Sequence, residues 1–133
     1  MQGPELCAGI IVYNADQVLL IKRGTEPEKG LWSLPGGRVQ IGEPIRHAAL
    51  RELKEESNLE GRFEEMIGWV DLKINEHHFV IVNLRLSVSN PSKLKAGDDA
   101  AEVGFFKVEE LHQLDMSERT RNFVFSLRPP ALN

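Results

Sequence analysis

One cysteine, Cys7, is all that the sequence contains, and this scarcity excludes the disulfide-rich secreted folds. A lone thiol cannot form an internal disulfide, and intracellular thiols stay reduced. We therefore expect a cytoplasmic protein. We expect Cys7 to be a small packing residue rather than a nucleophile, because no histidine stands in a recognisable relation to it.

Long apolar runs are missing too. No stretch approaches the ~20 residues that a helix needs to cross a bilayer, so we expect no membrane partner. Residues 1–5 lack the basic and then apolar pattern of a signal peptide. The sequence has no repeat, linker or low-complexity segment, and its length of 133 residues predicts one domain over residues 1–133.

Positive charge is in short supply. The 16 Lys and Arg residues stand against 20 Asp and Glu residues, which gives a net charge of −4. A surface that binds a nucleic-acid polymer has to neutralise phosphates with basic patches, so we expect no polymer partner. Small nucleotides stay open as ligands, because a bound metal ion can reverse the sign of the charge locally.

The sequence does have a dense acidic cluster, Glu52, Glu55 and Glu56. On a helix their spacing places all three carboxylates on one face, where like charges destabilise the helix by roughly 0.2–0.5 kcal/mol per pair. A hard divalent cation such as Mg²⁺ takes oxygen ligands and would compensate this repulsion. A solvated acidic surface is the alternative for a bare Glu-x-x-Glu-Glu pattern.

Local signals predict that the acidic cluster lies on a helix. Pro44 suits the first helical position, because its φ is already helical and its missing N–H would have no partner there. Glu43 then falls at the N-cap, where its charge suits the helix dipole. Asn58 is expected to adopt the left-handed conformation that ends a helix, and Leu59 to make the accompanying hydrophobic contact.

Apolar runs on both sides of this helix predict strands. A hairpin is expected from Ala8–Tyr13 and Val18–Arg23, and further strands over residues 32–34, 38–40, 62–71, 78–89 and 102–107. Phe79 and Ile81 fall on the mainly polar face of the strand over 78–89, where they either pack or line a pocket. Ser117 is the expected N-cap of a final helix that Arg128–Pro130 would end. The order lacks regular βαβ alternation, which predicts an α+β layered domain.

The acidic cluster belongs to a longer pattern, Gly37-x5-Glu43-x7-Arg51-Glu52-Leu53-x-Glu55-Glu56-x-Asn58-Leu59. It resembles the Nudix box, G-x5-E-x7-R-E-U-x-E-E-x-G-U, in which U is a bulky aliphatic residue. Asn58 replaces the last glycine, and Asn tolerates the left-handed conformation. With residue frequencies of roughly 5–7%, the remaining matches would arise by chance on the order of once in a million. The resemblance extends from about Gly9 to Leu111.

The resemblance implies the Nudix fold, a mixed β-sheet sandwiched between helices in an α/β/α arrangement. It also implies a hydrolase that cleaves the pyrophosphate bond of a nucleoside diphosphate linked to another group. Such an enzyme uses Mg²⁺, or Mn²⁺, to neutralise developing charge and to lower the pKa of a bound water. Carried over position by position, the implied metal ligands are Gly36 (through its carbonyl), Glu52, Glu55, Glu56 and Glu102.

The catalytic residues that the resemblance implies are Glu52, Glu55 and Arg51. Arg51 would orient the ligands through an ion pair with Glu43 or Glu55, with a simple surface pair as the alternative. The general base stays open between Glu52, Glu102 and another acid. Glu102 is expected in the loop before the last strand.

Three further residues are candidates for binding substrate. Arg23 would contact a phosphate or lie at a solvated strand end. Gly37 would let the backbone approach a phosphate or a cation, unless Pro35–Gly37 is only a turn. Asp99 would contact substrate, with a solvated loop acid as the alternative.

The segments 23–37 and 97–102 look like those of the ADP-ribose pyrophosphatase subgroup, which would produce AMP and ribose 5-phosphate. The alternative reaction is that of a mutator-suppressing nucleoside triphosphate pyrophosphohydrolase, which releases pyrophosphate. A ligand-sensing Nudix domain without turnover is a second alternative, and a structural cation-binding protein is a third. Relatives are often dimers, so the resemblance also implies a homodimer.

Overall fold

The computed structural model describes residues 3–127. The strands are β1 (Glu5–Ile11), β2 (Tyr13–Asn14), β3 (Gln17–Arg23), β4 (Trp32–Ser33), β5 (Gly36–Arg38), β6 (Gly61–Ile74), β7 (His77–Val88) and β8 (Ala100–Lys107). The helices are α1 (Ile45–Ser57), α2 (Glu118–Ser126) and two 3₁₀ helices, Pro91–Lys93 and Val108–Gln113. The predicted stop at Arg128–Pro130 lies outside the described residues. No helix within residues 3–127 is long and apolar enough to span a membrane.

The strands form two four-stranded sheets. The first has the order β5-β1-β7-β6, with β1 and β7 parallel and the other pairs antiparallel. In the second, β3 pairs antiparallel with β2, β4 and β8. The first sheet is therefore mixed, as the resemblance implied.

The first sheet has two faces of different character, because successive side chains on a strand point to opposite sides. Ala8 and Ile10 of β1 and Leu84 of β7 are buried against α1. The opposite face carries residues at the alternate positions, such as Cys7 of β1 and Ile81 of β7, and it borders a cavity. One face thus builds the core and the other borders the cavity.

The second sheet is covered on both sides. Leu19 of β3 packs into the core beneath α1. Val18 and Leu20 point the other way and pack with Leu111 and with Val124 of α2. Helices therefore lie on both sides of the sheets, and the predicted α+β fold with an α/β/α arrangement is confirmed. The predicted cap of α2 is present as well, since the Ser117 hydroxyl accepts the Thr120 N–H at 3.1 Å.

Helix α1 begins one residue later than predicted. Pro44 is the N-cap rather than the first helical residue, because its ψ of 143° is extended. Glu43 precedes the cap, and its carboxylate accepts the Gln40 N–H at 3.0 Å. The C-terminal end follows the prediction: Asn58 is left-handed with a φ of 65°, and Leu59 is buried.

The predicted hairpin is wrong for most of its length. The run Ala8–Tyr13 is divided between β1 and β2, and only β2 pairs with β3 through Tyr13↔Val18 and Asn14↔Gln17. Strand β1 instead pairs with β5 and β7 in the other sheet. An apolar run indicates that a strand is buried, but it does not indicate which sheet the strand joins.

Candidate functional site

Strand β5 lies beside the acidic side of α1, and its glycines permit the close approach. A Cβ atom added to Gly37 would collide with the Glu52 carboxylate. The Gly36 N–H donates to Glu56 Oε2 at 3.0 Å. The prediction of a strand over 38–40 placed this element too late, and the alternative of a simple turn at Pro35–Gly37 is wrong. Gly36 and Gly37 are strand residues that pair with β1.

The Glu56 carboxylate is held in a partly buried position that disfavours its charge. Desolvation raises the pKa of Glu56 to about 8, and the charges of Glu52 and Glu55 add to this effect. The Gly36 N–H and the positive charge of Arg23 oppose it. Without a cation, Glu56 therefore holds a proton near neutral pH.

Burial also raises the pKa of Glu52, although the neighbouring Arg51 guanidinium opposes the effect. Glu52 has only 14% of its side chain exposed. Its Oε1 accepts a hydrogen bond from Arg51 Nη1 at 2.8 Å. Glu52 and Glu56 of α1 thus contact Gly37 and Gly36, two successive residues of β5. Burial disfavours the charged form of both carboxylates.

Arg51 connects the acidic residues to one another. It forms two hydrogen bonds with Glu43, from Nε at 2.8 Å and from Nη2 at 3.0 Å. Its Nη1 also reaches Glu55 at 3.3 Å, so both predicted ion pairs are present. The hydrogen bonds that Arg51 donates to Glu43 are the main cause of the low pKa of Glu43, about 2. Nη2 donates in addition to the Arg38 carbonyl at 3.1 Å, which fixes the end of β5 to the helix.

The three box glutamates differ in their surroundings. Glu55 is 58% exposed and contacts only Arg51 among charged side chains of residues 3–127. Within those residues, no three Asp, Glu, His or Cys side chains converge as a preformed metal cage. Glu52 and Glu56 nevertheless suit a hard divalent cation, since burial and mutual repulsion penalise their charges and a cation would offset both penalties. The role of each glutamate as a ligand or catalyst stays a prediction.

Glu102 does not lie in a loop before the last strand, as predicted, but within β8. Strand β8 begins two residues earlier, and Glu102 pairs with Lys22 on β3. Its carboxylate is 60% exposed and forms an ion pair with Lys22 Nζ at 3.2 Å. Glu102 would therefore have to act as a metal ligand or base from within a strand, and that role stays a prediction.

The polar loop before β8 packs against the C-terminal end of α1 through its backbone. The Gly97 N–H donates to the Glu56 carbonyl at 3.0 Å, and a Cβ on Gly97 would collide with the Glu55 carbonyl. The Asp99 carbonyl accepts the Gly24 N–H at 3.1 Å. The main chain of Asp99 is thus held beside Gly24, and a contact of its side chain with substrate stays a prediction.

A cavity of about 570 Å³ extends from β5 across the free face of the first sheet. Its walls come from β1, β5, β7, one end of β6, the segment 23–28 and α2. Phe79 and Ile81 line it, so the pocket alternative applies to them rather than simple packing. Arg23 lines it as well, and its Nε donates to the Pro27 carbonyl at 2.6 Å. From this position at the cavity wall Arg23 could contact a phosphate in the cavity, and that contact stays a prediction.

Several cavity residues were not identified from the sequence. They are Arg38 on β5, Asn83 on β7, and Arg119 and Phe123 on α2. Arg119 forms an ion pair with Glu28 at 2.9 Å across the cavity wall. The sequence did not single out Asn83, because Arg85 and Ser87 on the same face of the strand make an asparagine there unexceptional.

Comparisons with known proteins agree with this architecture. The sequence model of the NUDIX domain matches residues 3–127. An ADP-ribose pyrophosphatase from Methanocaldococcus jannaschii is 35% identical over 113 residues, which cover 84% of this chain and 66% of that protein. An m7GpppN-mRNA hydrolase from Bos taurus, NUDT17, is 32% identical over 127 residues, which cover 79% of this chain and 41% of that protein. The chain therefore spans less than the full length of both curated relatives.

A solved structure supports the same assignment. The crystal structure of a MutT NUDIX hydrolase from Burkholderia pseudomallei matches with a TM-score of 0.84 and 26% identity. The match covers 96% of this chain and 100% of that chain. Because the family model spans nearly the whole chain and the box residues lie where α1 meets β5, the chain belongs to the NUDIX family.

Proposed function

We propose that this chain hydrolyses the pyrophosphate bond of a nucleoside diphosphate linked to another group, with an ADP-ribose-like compound as substrate. The products would be a nucleoside monophosphate and a second phosphate ester. One observation carries the proposal: Glu52 and Glu56 of α1 contact Gly37 and Gly36 of β5, and these two glycines also line a cavity of about 570 Å³ whose wall includes Arg23, Arg38 and Arg119. The 35% identical ADP-ribose pyrophosphatase supports the choice of substrate class.

Nudix proteins generally use divalent metal ions, and we propose Mg²⁺, with Mn²⁺ as a substitute. Glu52, Glu55 and Glu56 would hold it, with the Gly36 carbonyl and Glu102 as the further candidates. The ion would supply charge neutralisation and a more acidic water. Glu56 already uses Oε2 to accept the Gly36 N–H, which fixes the orientation of its carboxylate relative to β5.

Arg51 is proposed to act as a positioning residue. Two of its hydrogen bonds hold Glu43 and a third holds Glu52, so the guanidinium fixes the α1 carboxylates before any ligand arrives. Preorganised groups lose no energy to rearrangement during the reaction. Arg23, at the cavity wall, is the proposed phosphate contact. The base is proposed to be Glu52, with Glu55 and Glu102 as alternatives.

The test is to identify products by chromatography after incubation with Mg²⁺ and either ADP-ribose or one nucleoside triphosphate. AMP and ribose 5-phosphate from ADP-ribose are expected. The Glu56→Gln variant should lose nearly all turnover while keeping its fold. Glu60→Gln is the matched control, because Glu60 is a 78% exposed acid near the end of the same helix. A folded Glu56→Gln variant that keeps wild-type turnover would contradict the proposed metal site.

A nucleoside triphosphate pyrophosphohydrolase is the second candidate function. The 42% identity over 59 residues, 44% of this chain, with a putative 8-oxo-dGTP diphosphatase from Bacillus subtilis favours it. Pyrophosphate released from a triphosphate in the same assay would promote this candidate over the first. Tight binding of ADP-ribose without any hydrolysis would instead support a ligand-sensing domain.

Three broader expectations remain proposals: a cytoplasmic location, one domain over residues 1–133, and a homodimer. Gly37 and Asp99 are likewise kept as proposed substrate-binding residues. For Gly37 the contact with Glu52 supplies a second reason for the glycine, since any side chain there would displace the carboxylate.

A further inference from the structure

One buried amide interrupts the wall of the cavity. Asn83 on β7 is 4% exposed and lies on the strand face shared with Phe79 and Ile81. A Cβ atom added to Gly9, its neighbour on β1, would collide with Asn83 Oδ1. The amide therefore lies over the Gly9 backbone, where the cavity floor is formed by a residue without a side chain.

The Asn83 amide lacks the partners that its neighbours have. Farther along the same face of β7, Arg85 contacts Glu65 and Ser87 donates to Glu64 at 2.7 Å. Within residues 3–127, no side-chain hydrogen bond involves Asn83. Glu5 Oε2 is the one fully buried side-chain polar atom of residues 3–127 without a hydrogen-bond partner, so the polar atoms of Asn83 reach the cavity, where a ligand can form hydrogen bonds with them.

The sheet register places Asn83 at a defined distance from the acidic cluster. Gly36 pairs with Gly9, and Gly9 pairs with Asn83, so the three residues form one row across β5, β1 and β7. Two strand spacings separate the ends of this row by roughly 10 Å. Glu56 is bound to the Gly36 end. The ribose and base of one nucleotide can bridge such an interval, with the phosphate near Gly36 and the base near Asn83.

We propose that Asn83 recognises the base of the substrate and selects adenine. An asparagine amide offers one acceptor and one donor side by side, which matches the amino group and adjacent ring nitrogen of adenine. On the edge that carries N7, adenine presents its amino group as donor and N7 as acceptor, whereas hypoxanthine and guanine present two acceptors, O6 and N7, so one amide cannot form both hydrogen bonds to them. Phe79 and Ile81 supply the apolar surface beside the amide. This inference rests on the proposed function, which supplies a nucleotide as substrate, and it adds the identity of the base that the site prefers.

The test is a calorimetric titration of the full chain with AMP and with IMP in the presence of Mg²⁺. Wild-type protein should bind AMP about tenfold more tightly than IMP, the effect expected of one or two neutral hydrogen bonds. The Asn83→Leu variant should lose this preference without a fall in melting temperature, because the Asn83 side chain forms no hydrogen bond that leucine would remove. Ser87→Ala is the control, since Ser87 lies on β7 outside the cavity and contacts Glu64.

A wild-type protein without preference for AMP would overturn the inference, and so would an Asn83→Leu variant that folds and keeps the preference. A fall in melting temperature with the preference intact would assign Asn83 a structural role and overturn it as well. The hydrolysis assay is independent of these titrations. Failure to hydrolyse any substrate would refute the proposed function, whereas an unchanged preference in an active enzyme would refute only the role of Asn83.

Discussion

Replacing Gly37 with alanine tests whether the contact between β5 and α1 shapes the site. The added methyl group would overlap the Glu52 carboxylate, so that the side chain has to turn away. Its hydrogen bond with Arg51 Nη1, at 2.8 Å, would then break. The φ of Gly37 is not in the left-handed region, so alanine itself fits the strand backbone. The effect should therefore come from the displaced carboxylate.

The expected loss of stability follows from two opposing terms. Breaking a hydrogen bond between charged groups costs about 1.5–3 kcal/mol. Replacing glycine by alanine returns about 0.4–1 kcal/mol, because the unfolded chain becomes less flexible. The net fall in the free energy of unfolding is about 0.5–2.5 kcal/mol. For a domain of this size it lowers the melting temperature by about 2–10 °C.

Activity should fall far more than stability. Under the role proposed for Glu52 as metal ligand and base, its displacement should lower kcat by about 10–100-fold. Thermal denaturation and steady-state hydrolysis of ADP-ribose measure the two effects. Gly3→Ala is the control, since nothing lies within 4 Å of a Cβ at that position. A Gly37→Ala protein with wild-type kcat and melting temperature would refute the reasoning.

Three further predictions concern proton binding. Metal-free Glu56, with its pKa raised to about 8, carries a proton at pH 7, so Mg²⁺ binding should release that proton and calorimetric enthalpies should differ between buffers of different ionisation enthalpy. Because this pKa is raised from 4.5, thermal unfolding in EDTA should show stability falling as the pH rises from about 4.5 to about 8; a flat profile would count against a buried Glu56. Burial, and next the charge of Glu5, raise the pKa of Cys7. At pH 8, iodoacetamide should therefore alkylate Cys7 more slowly in the folded protein than in urea, and equal rates by mass spectrometry would contradict this.

The sequence was sufficient to predict the features of the site that depend on local order. The spacing of the glutamates, the left-handed Asn58 and the buried side of α1 all lie within one helix and its ends. Pro44 was misplaced by one position because proline is compatible with both the N-cap and the first turn. The ion pairs of Arg51 were also foreseeable, since Glu55 is one turn away on the same helix.

Features that depend on distant pairing were not predictable in the same way. Asn83 borders the cavity because β7 pairs with β1, and this pairing joins Gly9 to Asn83, 74 positions apart in the chain. Glu102 was expected in a loop, yet its place is decided by the pairing of β8 with β3. Apolar periodicity reports how a strand is buried, whereas its partner depends on contacts that single-sequence patterns do not encode.

The two faces of the first sheet alternate residue by residue along the central parts of β1 and β7. Along β1 and β7, Ala8, Ile10 and Leu84 belong to the core, whereas Cys7 and Asn83 border the cavity. Substitutions at the core positions of these strands should therefore change the free energy of unfolding first, whereas substitutions at Cys7 and Asn83 should change the shape and polarity of the cavity first.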